Sequence, residues 1–214
     1  MSGSRLGPVS AVLFVALWVA TWFVMRTPDG GDGASGAVTY YADSGNRVMM
    51  IVAAYMFVIA ALVFLGFLVC LRGRLAAAEG GDGPLTTLAF ASGAIAAAMI
   101  LVGTFAMAAV PAGVEFGGLD APTDGEVTLF IQQMGFGAIL VGAMFPAALT
   151  IFVTSIIARR TGAFPGWIVW LGYAAGIVLL FAAVWIPQIA LLIWVLAVGF
   201  ALRKPATAAA ASST

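Results

Sequence analysis

Hydrophobic positions dominate the chain in six long runs, at residues 9–25, 48–71, 85–110, 127–158, 166–183 and 188–202, and short polar segments between them carry nearly all the charge. Apolar runs of about 17 to 25 residues are long enough to cross a bilayer core as helices. The fourth exceeds that length and predicts a helix that tilts or protrudes. The last two abut at Val184-Trp185-Ile186-Pro187-Gln188, which reads as a tight hairpin or as a proline kink in one helix. Length favours the hairpin, because one helix over 166–202 would be about 55 Å long, nearly twice the hydrocarbon thickness. The fold class expected is all-α: a polytopic transmembrane bundle of six helices over 1–204, followed by a disordered cytoplasmic tail at 205–214, rich in Ala, Ser and Thr.

Helix punctuation agrees with these limits. Thr123-Asp124-Gly125-Glu126 fits a capping box at the start of the fourth helix, with Thr123 and Glu126 satisfying orphan amides. Pro84 and Pro165 stand where first-turn prolines open a helix. The segment from Pro28 to Gly36 reads as a flexible outer loop. The first run resembles a signal peptide, with Arg5 before Ala11–Met25. Arg26-Thr27-Pro28-Asp29 offers no small-x-small site, so the segment is expected to stay as a helix.

Charge then sets orientation. Arg5, Arg72, Arg74, Arg159, Arg160, Arg203 and Lys204 fall on one side of the six-helix arrangement, and only Arg26 and Arg47 on the other. The positive-inside rule makes the first side, and so both termini, cytoplasmic. Asp29, Asp32, Asp43, Glu115, Asp120, Asp124 and Glu126 then lie outside, with Glu79 and Asp82 inside.

Composition narrows the chemistry. Apolar residues make up 63% of the chain and charged residues 8%, too little polar surface to cover a soluble fold. There is no histidine and one cysteine, so neither a metal site nor another cofactor is expected. Cys70 is a small packing residue or a palmitoylation site at a helix end. Zero net charge offers no nucleic-acid surface. An enzyme is not expected, because no base accompanies a nucleophile and every acid lies in a loop or at a boundary. Coupled transport is disfavoured for want of a titratable group near midplane.

Candidate binding residues are Tyr40, Tyr41, Asp43, Asn46 and Arg47 at the outer end of the second helix, with Gln132 and Gln133 in the outer third of the fourth. As structure, the tyrosines anchor at headgroup depth, Asp43 or Ser44 caps the helix and Arg47 pairs locally. As function, they form the rim of an outward-facing pocket for a lipid headgroup or small polar molecule. The two glutamines are adjacent, so they face different directions. Deeper in the fourth helix, Pro146 should kink the chain and free the Gly142 carbonyl. That carbonyl with Thr150, Thr154 and Ser155 reads as a polar site, or as groups met by protein while Gly135, Ala138 and Gly142 give a smooth packing stripe. Gly172 and Gly176 form a GxxxG that packs internally or dimerises. Trp167, Trp170 and Trp185 fit interfacial belts.

Tyr40-Tyr41-Ala42-Asp43 with Arg47, the turn Leu71-Arg72-x-Arg74-Leu75-x-x-Ala78-Glu79-Gly80, Thr154-Ser155 before Arg160-Thr161-Gly162-x-x-Pro165-x-Trp167, and Leu192-x-Trp194-Val195-Leu196 together resemble an uncharacterised family of six-helix actinobacterial membrane proteins. The resemblance covers most of the chain and implies a multi-pass protein of the bacterial plasma membrane without implying an activity. Gly166 stands where the family pattern commonly has a basic residue, which weakens a headgroup-binding role for that turn. The expected function is non-enzymatic: an accessory subunit, or a binder of lipid or a small hydrophobe. The other class is a passive channel or transporter for an uncharged small solute. Expected partners are membrane lipids and a membrane protein or second copy of the chain.

Overall fold

The computed structural model describes residues 3–25, 27, 33–182 and 185–203. Arg26, Asp29, Asp32, Val184, Lys204 and the tail at 205–214, all used in the sequence reading, lie outside the described residues. The rest is all-helical: α1 (Gly3–Val24), α2 (Gly33–Ala42), α3 (Ser44–Glu79), α4 (Pro84–Gly117), α5 (Gly125–Thr161), α6 (Gly166–Leu179) and α7 (Gln188–Ala201). Helices α1, α3, α4 and α5 are long and apolar enough to cross a membrane. Helices α6 and α7, 14 residues each, are about 21 Å long and fall short of a 30 Å hydrocarbon core. They are nevertheless separate and lie side by side, so the join near Pro187 is a turn and not a kink.

Six helices close into a ring. α1 packs on α3, α3 on α4, α4 on α5, α5 on α6, α6 on α7, and α7 returns to α1. A Cβ on Gly7 would meet Leu202 at 2.9 Å, and Gly199 faces Ala11, which brings the two ends of the ring chain to the same end of the bundle. Aromatic rings fill the α1–α3–α7 contact. Phe14 stacks on Phe64 at 4.9 Å, Trp18 meets Phe57 edge-on at 5.0 Å, and Phe67 meets Trp194 at 6.1 Å. Phe57, Ala60, Ala61, Phe64, Phe67, Leu68, Leu71 and Leu75 are all buried, a helical spacing that turns one stripe of α3 inward. Its other faces are as apolar but exposed, and so are those of its neighbours: Phe23 and Phe105 are 82% and 78% exposed.

Small residues hold α4 against α5. A Cβ on Gly103 would stand 2.5 Å from the Gly135 carbonyl oxygen, and one on Gly135 would stand 2.8 Å from the Gly103 carbonyl oxygen. Ala138 and Gly142 continue the same face toward Gly103 and Met99, as the small-residue stripe predicts. Gly172 meets Ser155 and Trp194, and Gly176 meets Phe152, so the GxxxG of α6 packs within the bundle.

Four local expectations change. Gly33–Gly36, read as flexible loop, is the first turn of α2, a helix the hydrophobic pattern gives no sign of. Its backbone sits on Gly125, where any Cβ would strike the Ala34 carbonyl. The cap of α5 is Asp124, whose carboxylate accepts from the Glu126 and Val127 amides at 3.0 and 3.1 Å; the helix starts one residue later than a Thr123 cap requires. Pro165 likewise precedes α6 as its cap residue, whereas Pro84 does open α4. Finally, α5 carries ahead of Pro146 a feature that the sequence reading does not include. It passes through a π turn at Ala138–Ala143, and the extra residue in that turn adjusts the backbone just before a proline ring that conflicts with the carbonyl four residues back.

The α4–α5 approach leaves no room for side chains. Gly103→Val and Gly135→Val are each expected to destabilise the protein by about 1–3 kcal/mol, read as a lowered midpoint of thermal unfolding in detergent, while Gly137→Ala, at an open position, should leave it unchanged.

Candidate functional site

The structure brings the candidate cluster at the α2–α3 corner against Gln132 of α5 through Tyr41, while Gln133 faces elsewhere. Asp43 caps α3, accepting from the Asn46 amide at 2.9 Å, and the Asn46 side chain donates to the Tyr40 carbonyl at 3.2 Å. Arg47 reaches across to α4. Its Nε donates to Glu115 Oε1 at 2.6 Å, and its Nη1 donates to the Tyr41 and Ala42 carbonyls at 2.6 and 2.9 Å. The arginine therefore ties the α2–α3 corner to the end of α4, and its acid partner is 68 residues away in sequence and not the neighbouring Asp43. Tyr41 is 1% exposed and donates to Gln132 Oε1 at 3.5 Å, with the Tyr40 ring edge-on at 5.0 Å. Burial, and secondly Tyr40, push the Tyr41 phenol well above its ordinary pKa, so it stays a neutral donor.

Gln132 and Gln133 diverge as adjacency requires. Gln132 is buried under Tyr41, while Gln133 is exposed and lines a lateral cleft of about 430 Å³ with Trp22, Met25, Thr27, Phe136, Leu140 and Trp185. Trp185 packs on Trp22 at 6.1 Å and on Phe136 at 5.7 Å. The Trp22 indole N–H is buried without a hydrogen-bond partner, an uncommon condition for a buried donor. Nearby, Trp18 donates to Gln188 Oε1 at 3.2 Å, and the Gln188 amide donates to the Trp185 carbonyl at 3.2 Å, which fixes the α6–α7 turn against α1. Tyr41, Arg47 and Gln132 are hydrogen-bonded to protein, Asp43 is exposed as a helix cap, and Gln133 is the candidate that lines this cleft.

Below this level the interior is filled. Ile139, Ala143, Met144, Ala147 and Ile151 are 0–2% exposed. A void beside Thr104 and Met107 is too small to admit water. Thr150 Oγ1 lies 3.1 Å from the Pro146 carbonyl, 3.2 Å from the Ala89 carbonyl and 2.8 Å from Ser92 Oγ, and Ser155 donates to the Ile151 carbonyl at 2.8 Å. Thr154, expected to be met by protein, is buried with no partner for its hydroxyl, as is Thr104. No group of three metal-ligating side chains occurs among the described residues.

A second cleft of about 430 Å³ lies at the opposite end, lined by Arg74, Phe164, Trp167, Ile168 and Phe200 among others. The lining residues that the sequence singles out are Gln133 and Trp185 in the first cleft and Arg74, Gly162, Pro165 and Trp167 in the second, and each cleft assembles them from separate segments of the chain.

The geometry assigns Arg47 to structure. Arg47→Ala should cost about 1–3 kcal/mol by leaving Glu115 and two carbonyls without their donor, measured as a lowered unfolding midpoint with lipid retention unchanged; a change in retained lipid at constant stability would contradict this.

Comparison with protein-family models, curated proteins and solved structures finds no match to this chain.

Proposed function

We propose that this is a multi-pass protein of the bacterial plasma membrane, non-enzymatic, that binds an amphipathic lipid or small hydrophobe in the lateral cleft between Trp22, Gln133 and Trp185. Six crossings with both termini cytoplasmic complete the reading. They are supported by the alternating direction of the ring helices and by Arg72, Arg74, Arg159, Arg160 and Arg203 at one end, against Arg47 at the other. The short α6 and α7 fit a bilayer if their turn residues contribute to the span or the bilayer thins locally. The motif resemblance to six-helix actinobacterial proteins agrees.

The observation that carries the binding role is the contrast between a filled interior and an open side. The cleft volume is within the range of small-molecule sites. Its walls are largely aromatic and aliphatic, and the residues that bring polar groups to it are Gln133, Thr27 and the tryptophans Trp22, whose N–H is partnerless, and Trp185. Such a site accepts an apolar body and one acceptor-bearing head. A conduit for an uncharged solute is the weaker reading, because it needs a continuous polar path where Ile139, Met144 and Ile151 are packed.

Two outcomes are expected. On a Cys70→Ala background, cysteines placed at Ala77 should react with an impermeant thiol reagent only from the cytoplasm, and cysteines at Ser35 or Gly118 only from outside; labelling of Ala77 and Gly118 from one side would reject the topology. Gln133→Leu and Trp185→Ala should each lower the amount of co-purified lipid seen by native mass spectrometry, about fivefold for loss of one hydrogen bond of ordinary net worth, with unfolding little changed for Gln133→Leu. Equal retention by wild type and both variants would leave an accessory or scaffold role.

A further inference from the structure

We propose that the cleft at the basic end is a binding site for an acidic phospholipid of the adjoining leaflet, an inference that rests on the membrane reading above but not on the Gln133 cleft. Three separate helices bring what such a ligand needs to one mouth. Arg74, from α3, reaches the α5–α6 turn, where its Nε and Nη2 donate to the Ala163 carbonyl at 3.3 and 3.1 Å and its guanidinium lies 5.8 Å from the Phe164 ring centre. Arg203, just beyond α7, lies 4.9 Å from the ring centre of Phe200, which lines the cleft. Arg160 lies in the last turn of α5, two residues before the lining Gly162, and is exposed. The Arg203 guanidinium, held on an aromatic face, is pre-oriented, and its planar fork suits the paired oxygens of a phosphate, while Arg74, engaged by the Ala163 carbonyl, adds positive charge to the wall.

Local acids do not neutralise this end. Among the described residues it holds six arginines by position, Arg5, Arg72, Arg74, Arg159, Arg160 and Arg203, and two carboxylates, Glu79 and Asp82. Asp82 is paired with Arg72 at 2.7 Å. Glu79 accepts from the Thr86 hydroxyl at 2.5 Å and the Thr86 amide at 3.2 Å, holding the start of α4. No ion pair is seen for Arg159, Arg160 or Arg203 among the described residues. The cleft below them is apolar, with Ile168, Ala197 and Phe200 as walls and Trp167, 61% exposed, at its rim. A positive mouth over an apolar slot at headgroup level matches an anionic head with an acyl chain, and basic pockets between membrane helices select such lipids. The absence of a basic residue at position 166 is therefore no obstacle, because the charge arrives from α3, α5 and the end of α7.

The test uses the full chain in mixed nanodiscs of phosphatidylglycerol and phosphatidylcholine, with lipid retained on release read by native mass spectrometry and the unfolding midpoint measured in each pure lipid. Wild type should retain phosphatidylglycerol in preference and unfold at higher temperature in it. Arg160→Gln and Arg203→Gln, both at exposed positions, should each lower the preference about fivefold; Arg74→Gln should lower it at least as far, and if that variant fails to fold, the exposed pair alone decides. Trp167→Ala should reduce retention of both lipids. Gln133→Leu should leave the preference intact. Equal retention of the two lipids by wild type, or a preference unchanged in the Arg160→Gln/Arg203→Gln double variant, would overturn the proposal while leaving the Gln133 cleft standing; retention of neither lipid would overturn the lipid-binding reading itself.

Discussion

Helices that are apolar on every face gain little by turning one face away from lipid, since lipid tails are as apolar as the partner helix. What holds them is how closely they approach. In this bundle that constraint is met at Gly103 and Gly135, where the backbones of α4 and α5 come near enough that a methyl on either would meet the other's carbonyl. The same device recurs at Gly172 and Gly176 between α5 and α6, and at Gly199 between α7 and α1. Each contact is a small residue on one helix opposite backbone or a larger side chain on the next. Repeated around the ring, these contacts decide which helices are neighbours, and hence where space is left over.

The polar groups of the interior follow from the same economy. A hydroxyl or indole among apolar helices must find a partner or remain unsatisfied. Ser92 and Thr150 solve this as a pair, at 2.8 Å, drawing in the Ala89 and Pro146 carbonyls. Trp18 and Gln188 solve it across the closure of the ring. The π turn at Ala138–Ala143 belongs here too, since it rearranges the backbone hydrogen bonds just ahead of Pro146, whose ring removes one of them. Thr104, Thr154, Trp22 and Trp194 keep unpaired polar atoms, and of these Trp22 alone lines a cleft large enough to receive a ligand.

How much of this was legible depended on whether the cause was local. The long helices followed from the lengths of the apolar runs, the cap of α3 from Asp43, and the inward glycine stripe of α5 from its spacing. The missed helix α2 begins Gly33-Ala34-Ser35-Gly36, a sequence of weak helical preference; it is placed by docking on α5 at Gly125, and tertiary contact overrides propensity there. The partner of Arg47 was misread for a related reason. Asp43 is near in sequence but is occupied as a cap, while Glu115 is brought close only by the pairing of α3 with α4. The clefts were illegible because residues such as Trp22, Gln133 and Trp185 meet only once α7 closes on α1, and no periodicity encodes ring order.

The two ends of the bundle handle charge in opposite ways. At the α2 end the arginine is enclosed, its guanidinium shared between a carboxylate and two carbonyls, so it fixes a corner and offers little to a ligand. At the other end the arginines outnumber the carboxylates, and the acids present are engaged in capping α4 and pairing Arg72. Arg74 is engaged by the Ala163 carbonyl and the Phe164 ring, whereas the exposed Arg159, Arg160 and Arg203 belong to the class of surface charge that contributes little to stability. The excess does produce a positive field around a cleft whose walls are largely apolar, screened over about a Debye length. Stability and the proposed recognition are thus separated along the bundle axis: at the α2 end the described arginine is enclosed by protein groups, and the other end carries the arginine excess on which the phospholipid proposal rests.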